Sequence, residues 1–310
     1  MAEKIVLGTR GSDLALTQAR LVESALRMRW AELEIETKII KTRGDERKGD
    51  FEMVDLRAGR KGLFTGEIER TLLACEIDFA VHSAKDLPSA QGPGARVAGA
   101  LPRAAVADVL IAPVAYDLKT LPVAGIVATG SVRRKHQLHW RRPDLEIMDV
   151  RGNVPTRLRK LAASEWHAMI LARAGLERLG AEIDGQRMAC DGKEFSAYPL
   201  PLEIFTPAGG QGIIAIQIRT GDERAKRLLD AINHFETHLC LRAEREFLRL
   251  LDGDCDKPVG VLATVQEGVM KMHGQVFDLG ATTPREAMVE GASEEAEAMA
   301  AKLFQKIDGK

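Results

Sequence analysis

The stretch GIVATGSVRRKHQL, residues 125–138, joins an apolar run to a basic one through a Gly130–Ser131 turn. The run before the turn predicts a buried strand, and the pattern after it predicts a helix whose first turn holds Arg133 and Arg134. A helix N-terminus is partially positive, so two guanidinium groups there repel the helix dipole and each other unless an anion lies among them. The stretch therefore predicts a strand–helix unit that requires an anionic ligand.

Basic residues follow other predicted strands in the same way. KIVLGTRGS places Arg10 after a strand, LEIMDVRGNVPTRL places Arg151 and Arg157 around a turn, and AMILARAGLERLG adds Arg173 and Arg178. Ligands of open parallel sheets bind beyond the carboxyl ends of the strands, so we expect these cations to converge on one crevice. Any one of them taken alone fits a solvated turn residue. The set as a whole favours recognition of carboxylate or phosphate.

Apolar runs and amphipathic stretches alternate along most of the chain. The first unit reads IVLG, LALTQARLVESALRMRW and LEIETKIIKT, which predicts a strand, a helix and a strand. GEIERTLLACEI and DFAVHS follow as a helix and a strand, with RVAGAL and DVLIAP as further strands. GIVATG, LEIMDV and HAMILAR repeat the pattern later. This alternation predicts two α/β lobes, each a parallel or mixed sheet covered by helices.

The pattern changes after about residue 235, where a helix, a hairpin with its turn at Glu267–Gly268, and a closing helix predict a smaller α+β domain. Pro and Gly cluster near Leu101–Pro102 and at 206–210, which marks candidate hinges. The stretch 189–205 predicts a loop or short strand without an assigned role. The predicted units are lobe 1 over 1–102, lobe 2 over 103–207, a hinge and a segment returning to lobe 1 over 208–232, and the α+β domain over 233–310.

The composition limits the classes of partner. Lys and Arg together number 44 and Asp and Glu together number 45, giving a net charge of −1, whereas a general nucleic-acid binder usually has a basic surplus. The four cysteines include no CxxC pair, which fits reduced thiols in a cytosol-like compartment. The opening residues resemble no signal peptide, and no window approaches a membrane span. We expect a cytoplasmic protein that binds neither nucleic acid nor membrane.

Two further segments carry chemically distinctive residues. In VHSAKDLP a strand ends in Lys85 and Asp86, where a carboxylate flanked by cations is placed for proton transfer or for stabilising a developing cation. Asp86 alternatively initiates a turn before Pro88. In LLDGDCDKPVG, Cys255 follows a helix in a polar turn, which makes it a candidate nucleophile or attachment point.

Three other patterns fail as sites. His234 and His238 have the spacing of a metal pair, but no third ligand is evident, so a structural role is expected. The acidic turn around Cys255 lacks calcium-loop residues, because Lys257 and Ala263 stand where glycine and glutamate are needed. The run GGQG at 209–212 lacks the spacing of a dinucleotide or phosphate loop and fits a hinge. No metal site is expected.

Several motifs follow one another along nearly the whole chain: TRGSDLALTQA, RKGLFTGEIE, DFAVHSAKDLP, TGSVRRKHQL, RGNVPTRL, LARAGLERLG, PAGGQG and DGDCDKPVG. In this order they resemble the motifs of the porphobilinogen deaminase (hydroxymethylbilane synthase) family. The resemblance implies two lobes like those of type II periplasmic binding proteins and a third, α+β domain that carries the cofactor cysteine. It implies a monomer that joins four porphobilinogen molecules head to tail into hydroxymethylbilane and releases ammonia.

The resemblance also implies roles for individual residues. Cys255 would carry a dipyrromethane cofactor through a thioether, as a primer for the growing chain. Asp86 would contact pyrrole N–H groups, stabilise the azafulvenium formed when the amine leaves, and help to move protons. The residues implied to bind cofactor are Lys85, Thr129, Ser131, Arg133, Arg134, Gly152, Arg157 and Gln211, and those implied to bind substrate carboxylates are Arg10, Ser12, Arg151 and Arg178.

Some positions depart from the family pattern. Asp254 stands where a glycine usually precedes the cysteine, Gly130 replaces a serine, and the loop after Arg178 is longer than usual. The extra carboxylate beside Cys255 predicts slower but complete cofactor loading. A non-catalytic, two-lobed anion-binding protein is the alternative interpretation, and it would need neither Asp86 nor Cys255. A nucleic-acid binder that uses the arginines is a second alternative, disfavoured by the near-neutral charge.

Overall fold

A computed structural model gives the fold and describes residues 4–42, 65–90, 92–190, 192–251 and 257–309. In chain order the strands are β1 (Lys4–Thr9), β2 (Glu34–Ile39), β3 (Phe79–Ser83), β4 (Ala95–Ala100), β5 (Asp108–Ala112), β6 (Ile126–Ala128), β7 (Glu146–Met148), β8 (Ala168–Ala172), β9 (Glu182–Asp184), β10 (Arg187–Cys190), β11 (Lys193–Pro199), β12 (Ile214–Arg219), β13 (Val259–Gln266), β14 (Val269–Val276) and β15 (Arg285–Ala292). The helices are α1 (Asp13–Arg29), α2 (Gly66–Leu73), α3 (Val132–Arg141), α4 (Val154–Ala162), α5 (Arg173–Arg178), α6 (Glu223–Asp230), α7 (Phe235–Leu250) and α8 (Ala296–Asp308), with 3-10 turns at Ala84–Asp86 and Ser293–Glu295.

The first lobe is built on a mixed sheet. Within the described ranges its strand order is β2-β1-β3-β12-β4, with β1 parallel to β2 and β3 and with β12 antiparallel to both of its neighbours. Apolar residues of β1, β3 and β12 are buried against α1 and α6. The sequence predicts a segment that returns to this lobe, and β12 is the strand formed there. That strand inserts beside β3 and so ties the end of the second lobe to the first.

The second lobe has a longer mixed sheet. In the part of the chain that the structure describes, its order is β7-β6-β8-β5-β11-β10-β9, with β6 parallel to β7 and β8 and with β5 antiparallel to β8 and β11. The segment 189–205, predicted as a loop or short strand, contains the end of β10 and all of β11, which pair with each other. Phe195 of β11 and Met188 of β10 are buried in the core of this lobe, and this burial holds the two strands in the sheet.

The third unit is α+β, as predicted. Strands β13, β14 and β15 form an antiparallel sheet in that order, and α7 and α8 cover it. The hairpin with its turn at Glu267–Gly268 is confirmed, and both turn residues have positive φ, 51° and 77°. Strand β15 is not predicted from the sequence, because its residues alternate between half-buried and exposed and form no apolar run that would mark a strand. Two α/β lobes and a smaller α+β unit confirm the predicted fold class.

A buried ion pair joins the three units. Arg103, in the connection between the lobes, donates from Nη1 and Nη2 to the Glu244 carboxylate at 2.6 and 3.2 Å. Its Nε donates to the carbonyl of Gln211 at 2.9 Å. The same carboxylate accepts from the backbone N–H groups of Gly210 and Ala263. Because Glu244 is fully buried and saturated with donors, this contact fixes the connection, the glycine-rich run and β13 together.

The glycine-rich run packs tightly against the end of β3. Gly210 has φ +76°, and a Cβ there would lie 2.9 Å from the carbonyl carbon of Ala84. Gly212 has φ +85°, and a Cβ there would lie 2.5 Å from the carbonyl oxygen of Ala104. Only glycine meets both requirements without displacement of the backbone. The run therefore presses directly against the segment that carries Lys85 and Asp86.

Candidate active site

Arg133 and Arg134 lie where the sequence predicts them, in the first turn of α3, but the anion between them belongs to the chain. Asp108, the first residue of β5, forms ion pairs with Arg133 at 2.9 Å and with Arg134 at 2.7 Å, and all three side chains are buried. Burial would raise the pKa of Asp108, but the two guanidinium groups outweigh it and hold that pKa well below its usual value. The repulsion inferred from the sequence is thus relieved internally, and these two arginines do not by themselves require a bound anion.

Neighbouring carbonyls also fix both guanidinium groups. Arg133 donates to the carbonyl of Thr206 at 2.8 Å, and Arg134 donates to the carbonyl of Ile170 at 2.9 Å. Gln211, predicted from the resemblance, donates from Nε2 to Asp108 at 2.9 Å. Four buried atoms of this group have no hydrogen-bond partner among the described residues: Nε of Arg133, Nε of Arg134, Oε1 of Gln211 and Oδ2 of Asp108, which contacts Arg133 only as an ion pair. The group therefore retains one net positive charge and unused polar atoms.

The turn before α3 explains why the arginines lie there. The Ser131 hydroxyl caps the helix by accepting from the N–H of Arg134, and Thr129 Oγ1 accepts from the N–H of Ser131 at 3.3 Å. A Cβ at Gly130 would lie 2.7 Å from the carbonyl oxygen of Val150, so the turn passes too close to the next strand end for any side chain. Ser131 and Thr129 are thus already engaged in holding the local backbone.

Lys85 and Asp86 lie in the 3-10 turn that follows β3. Lys85 is half-buried and Asp86 is exposed. Burial lowers the pKa of Lys85 to about 8, opposed by Asp86 and reinforced by Arg134. These electrostatic contacts place the ammonium group beside the Arg133, Arg134 and Asp108 cluster. The end of β3 and the start of α3 therefore face one site.

The turn after β7 brings in two more cations. Gly152 has φ +117°, and Asn153 caps α4 by accepting from the N–H of Thr156. Arg157 is half-buried and donates from Nε to the carbonyl of Gly152 at 2.8 Å. Burial lowers the pKa of Arg157, as do the charges of Arg134 and Arg151, while Asp86 raises it. Arg157 therefore lies within electrostatic reach of both the buried cluster and the exposed carboxylate.

The remaining predicted residues lie on neighbouring elements. Arg178, at the end of α5, donates to the carbonyl of Gly212 at 2.7 Å, and burial lowers its pKa. Arg10 follows β1 and is close enough to His82 to help lower its pKa, although burial is the main cause of the drop to about 4. Ser12 caps α1 by accepting from the N–H of Ala15.

The described cations of the site differ in whether they form an ion pair with a carboxylate. Within the described residues, Arg151, Arg157 and Arg178 form no ion pair with a carboxylate, in contrast to Arg133 and Arg134. We call these three residues the rim cations. Asp108 is the residue that sequence reasoning missed; a lone carboxylate at the first position of a fully apolar strand was the available signal. Cys255 and Asp254 lie outside the described residues.

The described residues contain neither a metal site nor a membrane-spanning helix. Among them no group of His, Cys, Asp and Glu side chains is arranged to hold a metal ion. His234 instead caps α7, where its Nδ1 accepts from the N–H of Thr237. None of the described helices combines the length and hydrophobicity needed to cross a bilayer.

Comparison with known proteins identifies the family. Residues 5–227 match the family described as porphobilinogen deaminase, dipyromethane cofactor binding domain, and residues 238–308 match porphobilinogen deaminase, C-terminal domain. The porphobilinogen deaminase of Moorella thermoacetica is 41% identical over 98% of this chain and 93% of its own length. That of Syntrophomonas wolfei is 44% identical over 88% of this chain and 85% of its own. That of Thermus thermophilus is 39% identical over 98% and 95%.

Solved structures align more weakly. The methionine-binding protein MetQ covers 76% of this chain and 92% of its own, with 11% identity and a TM-score of 0.44. The effector-binding domain of BenM covers 74% and 90%, with 15% identity and a TM-score of 0.43. The two family matches together span both lobes and the α+β unit, and the relatives align over most of their length. This chain belongs to the porphobilinogen deaminase family.

Proposed function

We propose that the chain is a hydroxymethylbilane synthase, which joins four porphobilinogen molecules head to tail and releases ammonia, on a dipyrromethane cofactor attached to Cys255. The observation that carries the proposal is the placement of Asp86 beside Lys85 and Arg157, in a site where, among the described residues, cations outnumber carboxylates. Each porphobilinogen unit carries an acetate and a propionate, so substrate and product are polycarboxylates. A site with surplus cations suits such a ligand.

The residues present fit a dipyrromethane. The unpartnered Nε donors of Arg133 and Arg134 and the one net positive charge left after Asp108 is counted both suit an acidic ligand. When bound, the cofactor supplies the pyrrole terminus from which the chain is extended. The residues proposed to hold its carboxylates and backbone are Lys85, Thr129, Ser131, Arg133, Arg134, Gly152, Arg157 and Gln211. Those proposed to bind substrate carboxylates are Arg10, Ser12, Arg151 and Arg178.

Asp86 is proposed as the catalytic carboxylate. It is exposed, so it is accessible to the pyrrole N–H of a substrate molecule. A carboxylate there stabilises the positive charge that develops on the substrate as its amine leaves, and it can accept a proton afterwards. Lys85 and Arg157 flank it and bind carboxylates rather than the reacting ring. The chain thus separates anchoring, done by cations, from charge stabilisation, done by Asp86.

Turnover of porphobilinogen tests the proposal. Purified protein should release ammonia from porphobilinogen and form a product that oxidises to a porphyrin absorbing visible light. Asp86→Asn should lower kcat by about 10²–10⁴-fold, the range for a lost acid–base group, with the unfolding free energy changed by less than about 0.5 kcal/mol. Asp230→Asn, an exposed carboxylate paired with Lys226 on α6, is the matched control and should leave kcat unchanged.

Two results would contradict the enzyme. No turnover by a preparation with correctly loaded cofactor favours the non-catalytic anion-binding protein, as does an Asp86→Asn variant that retains full function.

Loading of the cofactor is measured by the intact mass of the denatured protein. We expect slow but complete modification in the wild type, none in Cys255→Ser, and faster modification in Asp254→Gly. An active preparation that contains only unmodified chain would reject the covalent cofactor.

We further propose that the protein is a cytoplasmic monomer that binds no nucleic acid, with unit boundaries after residues 102, 207 and 232. The net charge of −1 supports the absence of nucleic-acid binding, and the absence of CxxC pairs from the sequence supports a reducing compartment. Light scattering should give the mass of one chain, 33.9 kDa. A salt-sensitive affinity for DNA or RNA would contradict it.

A further inference from the structure

A cavity lies between the first lobe and the α+β unit, and none of its lining residues belongs to the proposed active site. Its volume is about 360 Å³. Ser89, Ala90 and Val97 line it from the first lobe, and one face of α7 lines it from the other side. This volume exceeds that of a phosphate or a small carboxylate. The cavity is therefore large enough for a small ligand held between two units of the fold.

Arg245 is the distinctive residue of this cavity. Its side chain is on α7, and the residue is only 8% exposed. Nη2 donates to the carbonyl of Ser89 at 3.3 Å, whereas the buried Nη1 has no hydrogen-bond partner among the described residues. Burial lowers the pKa of Arg245 to about 10, and no carboxylate of the described residues forms an ion pair with it. A buried, charged donor without an acceptor is costly unless a ligand completes it.

The other charges around the cavity cancel in pairs. Arg242 binds Glu297 through two hydrogen bonds of 2.8 and 2.7 Å. Arg249 binds Glu246 through two hydrogen bonds of 2.7 Å each. These bidentate pairs leave both carboxylates satisfied by their own arginines, so neither is available to neutralise Arg245.

The nearby imidazoles add no charge near neutral pH. Burial lowers the pKa of His238, with Arg242 and Arg96 acting in the same direction. Burial likewise lowers the pKa of His82 to about 4, and Arg245 contributes. The field in the cavity is therefore positive and comes from Arg245, with Arg96 nearby.

We propose that this cavity binds a small oxyanion, a phosphate or a carboxylate, which accepts a hydrogen bond from the guanidinium group of Arg245. The side chains of Val97 and Leu241 form an apolar wall beside it, so an anion there would be partly shielded from water. Shielding strengthens the charge-assisted hydrogen bond. The site uses residues outside the proposed catalytic group and stands independently of the proposed function.

Calorimetric titration of the loaded enzyme tests the site, with inorganic phosphate in one arm and acetate in the other, at constant ionic strength maintained with chloride. Arg245→Gln should weaken binding of the preferred anion at least tenfold. Arg187→Gln, which removes an exposed arginine from β10, is the matched control and should leave binding unchanged. A loss confined to the phosphate arm identifies a phosphate site, and a loss confined to the acetate arm identifies a carboxylate site.

A second variant covers the case in which Arg245→Gln does not fold. Ala90→Glu places a carboxylate at the exposed edge of the cavity and leaves Arg245 intact, so it should repel the anion and weaken binding in the same arm. Crystals soaked in tungstate should show anomalous density within hydrogen-bond distance of Arg245 in the wild type. Unchanged isotherms in both variants, or density confined to the proposed active site, would overturn the proposal.

Discussion

The site contains two sets of arginines that look alike in sequence and differ in structure. Arg133 and Arg134 are buried, and Asp108 pairs with both of them. The rim cations Arg151, Arg157 and Arg178 follow other strands and turns, and none of the described carboxylates forms an ion pair with them. The buried set therefore contributes mainly to the fold, whereas the rim cations remain available to a ligand.

This difference separates two consequences of removing a charge. Removing one member of the buried set leaves an uncompensated charge in the interior, so stability should suffer first. Removing a rim cation relieves repulsion in the free protein and weakens the hold on carboxylates, so catalysis should suffer first. The following changes, in decreasing order of expected effect, test whether the two sets divide in this way.

Asp108→Asn should give the largest effect. The variant keeps the shape of the side chain and removes the only described carboxylate paired with the two buried arginines, so the unfolding free energy should fall by about 3–5 kcal/mol. Urea unfolding measures it. Asp144→Asn, which breaks an ion pair with Arg142 near the surface, should cost only about 0–1 kcal/mol. Equal losses in the two variants would show that Asp108 is not a special partner.

Arg157→Gln should affect activity more than stability. Losing a hydrogen bond to a charged ligand group costs about 1.5–3 kcal/mol, so kcat/KM for porphobilinogen should fall by roughly ten- to hundredfold. The unfolding free energy should change by less than about 0.5 kcal/mol, because none of the described carboxylates forms an ion pair with Arg157. Arg159→Gln, an exposed arginine on the same helix, is the control. A large loss of stability with unchanged kcat/KM would place Arg157 in the buried set.

The charge of Lys85, which lies beside the buried set, should make kcat/KM depend on pH. Its pKa of about 8 means that it is charged below pH 8 and neutral above it, so kcat/KM should decline as the pH rises through 8, by up to about tenfold. The Lys85→Met variant should lack this limb of the pH profile. The sign for stability is opposite: the unfolded chain binds more protons between pH 8 and the ordinary lysine value of 10.5, so folding becomes more favourable over that range. Identical profiles in the two proteins would contradict the assignment.

Ser131→Ala should give the smallest change. Loss of the helix cap should lower the unfolding free energy by about 1 kcal/mol, whereas Ser131→Asn retains a capping oxygen and should remain close to wild type. Activity distinguishes capping from ligand binding. If both variants retain kcat/KM, Ser131 serves the helix alone, and its proposed contact with cofactor is wrong.

Much of the fold follows from the sequence because its signals are local. The apolar strands of both lobes and the Glu267–Gly268 hairpin could be predicted from hydrophobic runs and turn residues. Strand β15 could not, because its residues are alternately half-buried and exposed and its place depends on pairing with β14. Strand β12 is apolar, but its insertion between β3 and β4 depends on contacts far apart in the chain.

The candidate site divides in a similar way. The basic residues after strands could be predicted to gather, since strand ends are local features. Their partners could not: Asp108 pairs with side chains from α3, 25 residues along the chain at the nearest. An aspartate that starts an apolar strand resembles an ordinary turn residue until the fold brings two guanidinium groups to it.

The most direct test of the division between the two sets is the melting temperature of the loaded wild type against that of cofactor-free Cys255→Ser protein, measured at low and high salt. If the rim cations need carboxylate ligands, the loaded cofactor neutralises them, so the melting temperature of the wild type should be several degrees higher. This difference should shrink at high salt, because salt screens the charges. Equal melting temperatures at low salt would mean that these cations need no ligand, and the central claim would fail.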